Sequence, residues 1–207
     1  QASEVFIEHL VIRPGDDTES VAPPFESRDA FSIRCFSGDG ELENIYLHNV
    51  TLQWGTDENM QIYPSTVSNC TATDITVHRT LNGPSLHRSK HPEGPHGKGL
   101  IIGSNALANM PERISLIQNL FAHNDERNPR WHAGGQLAVL NNVMYLNLEV
   151  TAGKVSEITK STNYTVPAQL LDYAGNYFRL GSSASGAQYM LRAGTTQPTS
   201  TQIYFAN

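Results

Sequence analysis

Long apolar runs are missing from this chain. No stretch of its 207 residues is apolar for long enough to cross a bilayer as a helix. Cysteine is scarce too. Cys35 and Cys70 are the only two, too few for a cysteine metal cage or a disulfide framework. Two buried thiols are the simpler reading, and a disulfide is the alternative. Charge is sparse: Asp, Glu, Lys and Arg together make up 16% of the residues, and the net charge is -6. A phosphate-binding protein needs a basic stripe, so nucleic acid is excluded as the main partner. An anionic sugar is not excluded, because a divalent cation can bridge two acidic surfaces. Helical periodicity is also lacking over any ordinary helix length.

A recurring strand pattern fills the chain. Alternating apolar residues run into a polar corner and then a further apolar pair. Copies start at Val5-Phe6-Ile7-Glu8-His9-Leu10, Ile45-Tyr46-Leu47-His48-Asn49-Val50 and Ile75-Thr76-Val77-His78. Others start at Ile114-Ser115-Leu116-Ile117-Gln118-Asn119, Leu137-Ala138-Val139-Leu140-Asn141-Asn142, Leu171-Asp172-Tyr173-Ala174-Gly175-Asn176 and Ile203-Tyr204-Phe205. A period of two makes each copy a short strand with one buried face. Further short strands lie between the copies, and Gly, Pro, Asn and Ser fill the gaps. The repeat predicts an all-β chain, a right-handed single-stranded parallel β-helix (solenoid), with residues 1–207 as one domain. Asn119, Asn142 and Asn176 share one phase, which predicts an interior amide ladder. A β-sandwich is the alternative architecture, but it leaves that shared phase unexplained.

Several stretches resemble the pectate lyase-like family of polysaccharide lyases. They are Arg28-Asp29-Ala30-Phe31-Ser32-Ile33, Trp54-Gly55-Thr56-Asp57-Glu58-Asn59 and His91-Pro92-Glu93-Gly94-Pro95-His96. The run Asn119-Leu120-Phe121-Ala122-His123-Asn124 followed by Arg127-Asn128-Pro129-Arg130 completes the set. The likeness is specific from Trp54 to Tyr145 and loose in the last third. The pattern begins and ends in mid-repeat, as expected of a segment of a longer chain with uncapped ends. Such ends also offer a route to oligomers.

The resemblance implies calcium-assisted β-elimination on a uronic-acid-containing polysaccharide, outside the cell. Calcium on the sugar carboxylate acidifies the C5 proton, a base removes it, and the C4 oxygen leaves. By the same resemblance the metal ligands are Asp29, Asp57 and Gln61, Gln61 being an amide where the family has a carboxylate. Regular alternation turns Glu58 to the other face. Arg127 takes the family's place for the base, and Lys98 the place of the lysine that pairs with the substrate carboxylate. Arg130, His132 and His96 are the substrate-binding residues, with His132 standing where the family has an arginine. His87, His91 and His96 crowd one loop, but no spacing there is diagnostic of zinc. A non-catalytic carbohydrate-binding or structural unit, on a virion or cell surface, is the alternative function. Gln61, His132 and Glu93 favour it; Arg127 with Asp29 and Asp57 favours the enzyme.

Overall fold

In a computed structural model, the described residues are 2–17, 28–35, 40–64, 70–104, 106, 109–146, 154–158, 169–180, 189–193 and 201–206. They form an all-β structure in which strands pair in parallel. One sheet has seven strands: β1 (Ala2–Glu8), β4 (Glu41–His48), β7 (Thr71–His78), β10 (Glu112–Ile117), β13 (Gly135–Leu140), β16 (Gln169–Ala174) and β19 (Thr201–Ala206). A second sheet has six short strands: β2 (Val11–Ile12), β5 (Thr51–Leu52), β8 (Leu81–Asn82), β11 (Leu120–Ala122), β14 (Val143–Leu146) and β17 (Tyr177–Leu180). The third, also of six, contains β3 (Phe31–Ile33), β6 (Glu58–Ile62), β9 (Lys98–Gly103), β12 (Arg130–His132), β15 (Lys154–Ile158) and β18 (Tyr189–Ala193).

The expectation of a single-stranded β-helix is corrected by this arrangement. The strands lie in three separate parallel sheets and do not make one solenoid. Among the described residues consecutive strands do not pair, and neighbours within each sheet are three places apart in the chain. The cause is local. Between the seven-stranded sheet and the second sheet stands a two-residue corner whose first residue is left-handed: His9, Asn49, Arg79, Gln118, Asn141 and Gly175, with φ from 52 to 63°. A left-handed residue swings the backbone out of its own sheet before the next strand begins. At Gly175 the glycine is required twice, by its φ of 63° and because a Cβ there would lie 2.1 Å from the Asn141 side-chain oxygen.

The core follows from the alternation. Ile45, Ile75, Ile114, Leu137 and Leu171 sit in register on successive strands of the long sheet, and all are buried. Leu47, Val77, Leu116, Val139 and Tyr173 form the next inward column. Ile33, Ile62, Ile102 and Trp131 face them from the third sheet. Each fully buried aliphatic side chain contributes about 1.5–3 kcal/mol.

The asparagine ladder is present at the corner. The backbone N–H of Thr80 donates to Asn119 Oδ1 at 2.8 Å, that of Asn119 to Asn142 Oδ1 at 2.8 Å, and that of Asn142 to Asn176 Oδ1 at 2.9 Å. Each amide nitrogen in turn caps a carbonyl of the preceding strand of the long sheet: Val77, Leu116 and Val139. The two cysteines are not free thiols. Cys35 and Cys70 are joined as a disulfide, with Cα atoms 6.1 Å apart.

Candidate functional site

One group of charged side chains gathers along the leading edge of the third sheet, where the chain enters it from the second. A buried amide cluster fixes that entry. Asn59 Nδ2 donates to Asn124 Oδ1 at 2.9 Å, and Asn124 Nδ2 donates to Asn128 Oδ1 at 2.9 Å and to the Asn82 carbonyl at 3.0 Å. Gly99 packs so tightly here that a Cβ would lie 2.5 Å from both the Arg127 carbonyl and Asn128 Oδ1. These bonds lock successive strand starts one above another. Asp29 precedes β3, Glu58 opens β6, Lys98 opens β9, and Glu126 precedes β12. Glu58 is in register with Lys98, and Lys98 bridges Glu126.

Asp29, Asp57 and Glu58 converge. Their carboxylate oxygens lie within 4.8 Å of one another. Asp29 Oδ1 accepts the Glu58 backbone N–H at 3.1 Å, and Asp29 Oδ2 accepts the Ser32 hydroxyl at 2.8 Å. Burial pushes the Asp29 carboxyl up to about 7; the charge of Asp57 adds to this, while the Ser32 bond, Arg34 and Arg127 oppose it. Three oxygen donors this close together could hold a hard cation.

Glu58 joins Asp29 and Asp57 in this carboxylate group. Gln61, the amide expected as the third ligand, is buried in mid-strand, in register with Ser32 and Ile101. Regular alternation from Asp57 would separate neighbouring side chains, but β6 begins only at Glu58 and Asp57 lies in a bend. The two adjacent carboxylates therefore reach one place. The sequence carried Glu58 in plain sight; the assumption of a regular strand removed it.

Arg127 comes to the same place. It has a left-handed φ of 63°, its Nη1 donates to Glu58 Oε1, and its Nε lies 3.8 Å from Glu126 Oε1. Lys98 is ion-paired with Glu126 at 2.9 Å. His96 Nε2 contacts Asp57 Oδ1 at 2.8 Å. Arg130 and His132 flank the buried Trp131 on β12, half-exposed, with Arg130 one strand beyond Ile101. Asp29, Asp57, His96, Lys98 and Arg127 are thus connected as one polar group through Glu58 and Glu126.

A further pair was not anticipated. His87 Nδ1 lies 2.5 Å from the buried Asp125 Oδ2. Burial pushes the Asp125 carboxyl up, opposed by the bond and charge of His87 and by Lys98. The chain matches no family model and no curated protein.

Proposed function

We propose that this protein is a lyase of the pectate lyase type, acting on an acidic, uronic-acid-containing polysaccharide with calcium. The observation that carries the reading is the convergence of Asp29, Asp57 and Glu58 on one point, with Arg127 bonded to Glu58. The carboxylates would hold the cation, and calcium, when bound, supplies Lewis-acid withdrawal from the sugar carboxylate. Lys98 lies one strand beyond Glu58 and would take a substrate carboxylate. Arg127 is the candidate base. A guanidinium flanked by Glu58 and Glu126 stays charged. Were Glu58 to hold the cation, it would no longer accept from Arg127 Nη1, which could then face the C5 proton once its own proton had passed to solvent. Breaking the C5–H bond leaves its electron pair to form the C4=C5 double bond as the C4–O bond breaks, and water protonates the departing oxygen.

The test is purified protein with polygalacturonate, with and without calcium, followed by ultraviolet absorption of the unsaturated product. Calcium-dependent growth of that absorption supports the reading. No turnover on any uronic acid polymer overturns it. One observation favours a second reading, a non-catalytic carbohydrate-binding unit: Arg127 lies between two carboxylates, which favour its charged form. Binding of polygalacturonate without turnover would select that reading. An extracellular setting is part of the proposal, on a virion or cell surface in the binding-unit reading. It is supported by the Cys35–Cys70 disulfide, because such bonds persist in oxidising compartments.

A further inference from the structure

Beside the carboxylate trio lies a second set of potential ligands of different chemistry. Asp57, His91 and His96 each bring one ligand atom to within 4.8 Å of the other two. Both histidines are buried, at 6% exposure. Two histidines five apart in a loop carry no diagnostic spacing, so Asp57, brought in from another strand start, is what completes the set.

From this geometry we infer that Asp57, His91 and His96 form a zinc site, separate in ligand set from the calcium site but sharing Asp57 with it. Imidazole nitrogens favour borderline ions such as zinc over calcium, which prefers oxygen. The loop that carries the two rings is held by its own hydrogen bonds. The His96 N–H donates to the His87 carbonyl at 2.8 Å, the Gly94 N–H to the His91 carbonyl at 3.0 Å, and the Ser85 hydroxyl to the Gly97 carbonyl at 2.8 Å. Gly97 has a φ of 138°, and a Cβ there would lie 2.8 Å from Ser85 Oγ. The loop is therefore pinned at its base.

The proton between His96 and Asp57 marks where the ion goes. Asp57 Oδ1 accepts from His96 Nε2 at 2.8 Å, and zinc would stand in place of that proton, which moves to Nδ1 as the ring changes tautomer. Zinc bonds of ~2.0–2.2 Å at tetrahedral angles set ligand atoms ~3.3–3.6 Å apart. The 2.8 Å contact therefore opens slightly, and the wider separations close. One ring must also turn. The His91 and His96 rings lie parallel, 3.8 Å between centroids and 7° between planes, and parallel rings cannot both aim in-plane lone pairs at one ion. His91 is the ring that turns, giving up the Glu93 N–H that its Nδ1 accepts at 3.2 Å. Because Asp57 serves both sites, zinc lowers calcium affinity.

The test is calorimetric titration of the chelator-stripped chain with zinc chloride at neutral pH. One equivalent should bind. His91→Gln and His96→Gln should each weaken binding by at least ~10-fold. Wild-type protein that takes up no zinc at millimolar concentration overturns the inference, as do both histidine variants binding like wild type. Should either variant fail to fold, cobalt(II) on the wild-type chain decides. Intense visible bands of a four- or five-coordinate ion support the site, and the weak spectrum of the hexa-aqua ion overturns it. Calcium binding is read in a separate titration, so failure of the lyase proposal leaves this result standing.

Discussion

Arg127 donates to Glu58, a carboxylate 69 residues earlier in the chain and only 4% exposed. Removing one partner of a buried ion pair strands the other charge, at a cost of about 3–5 kcal/mol. Arg127→Ala should therefore abolish lyase turnover and also lower the melting temperature. The double variant Glu58→Gln with Arg127→Ala should recover most of the stability but no turnover. An Arg127→Ala protein that melts like wild type would show that the pair is not formed.

Glu58, not Gln61, completes the carboxylate trio. Losing one carboxylate from a calcium site removes a unit charge from the ion's surroundings. Glu58→Gln should weaken calcium binding by at least ~10-fold, or ~1.4 kcal/mol. Gln61→Asp should leave the affinity near its wild-type value. Calorimetric titration of both variants separates the two ligand sets, and the reverse ranking would restore Gln61.

Asp29 is pushed from 3.8 up to about 7, chiefly by burial. The folded state then holds the proton more tightly than the unfolded chain. The resulting stabilisation is fully present below about pH 4 and is lost as pH rises through about 7. In chelator, the wild-type melting temperature should fall across that window, and Asp29→Asn should flatten the fall. Cation binding should run the other way, weakening below about pH 7 as protons compete for Asp29. Parallel slopes for wild type and variant would count against a buried Asp29.

Asn142 holds two neighbours at once. It accepts the Asn119 N–H and donates to the Leu116 carbonyl, all buried. Asn142→Ala leaves both groups unsatisfied, at ~1–3 kcal/mol each. For a domain of this length that should lower the melting temperature by several degrees. Alanine at the exposed Asn141, which precedes it, should have a much smaller effect.

Cys35 and Cys70 are 35 positions apart in the chain. Closing a loop of that length stabilises the fold by about 3–4 kcal/mol on the chain-entropy account. Intact mass should rise by about 2 Da on reduction, since each sulfur gains a hydrogen. Cys35→Ser should melt well below wild type. Two alkylatable thiols in the native protein would contradict the bond.

The sequence by itself determined the all-β character, the period-two alternation and the phase of Asn119, Asn142 and Asn176. These depend on neighbours a few residues apart, where side-chain direction follows from strand geometry. It also singled out Asp29, Asp57, Lys98, His96 and Arg127. What only the tertiary structure decided was which strands pair and which side chains meet across passes of the chain. Left-handed corners at His9, Asn49, Arg79, Gln118 and Asn141 carried the chain from the seven-stranded sheet into the second, and backbone φ at a polar residue is weakly encoded locally. The bend at Asp57 broke the alternation and swung Glu58 in beside it, while Gln61 stayed within the strand. The pairing of Cys35 with Cys70, of His87 with Asp125, and of Asp57 with two loop histidines likewise joins residues far apart in sequence. Such contacts are set by the register of stacked strands, and register is fixed only when the whole core packs.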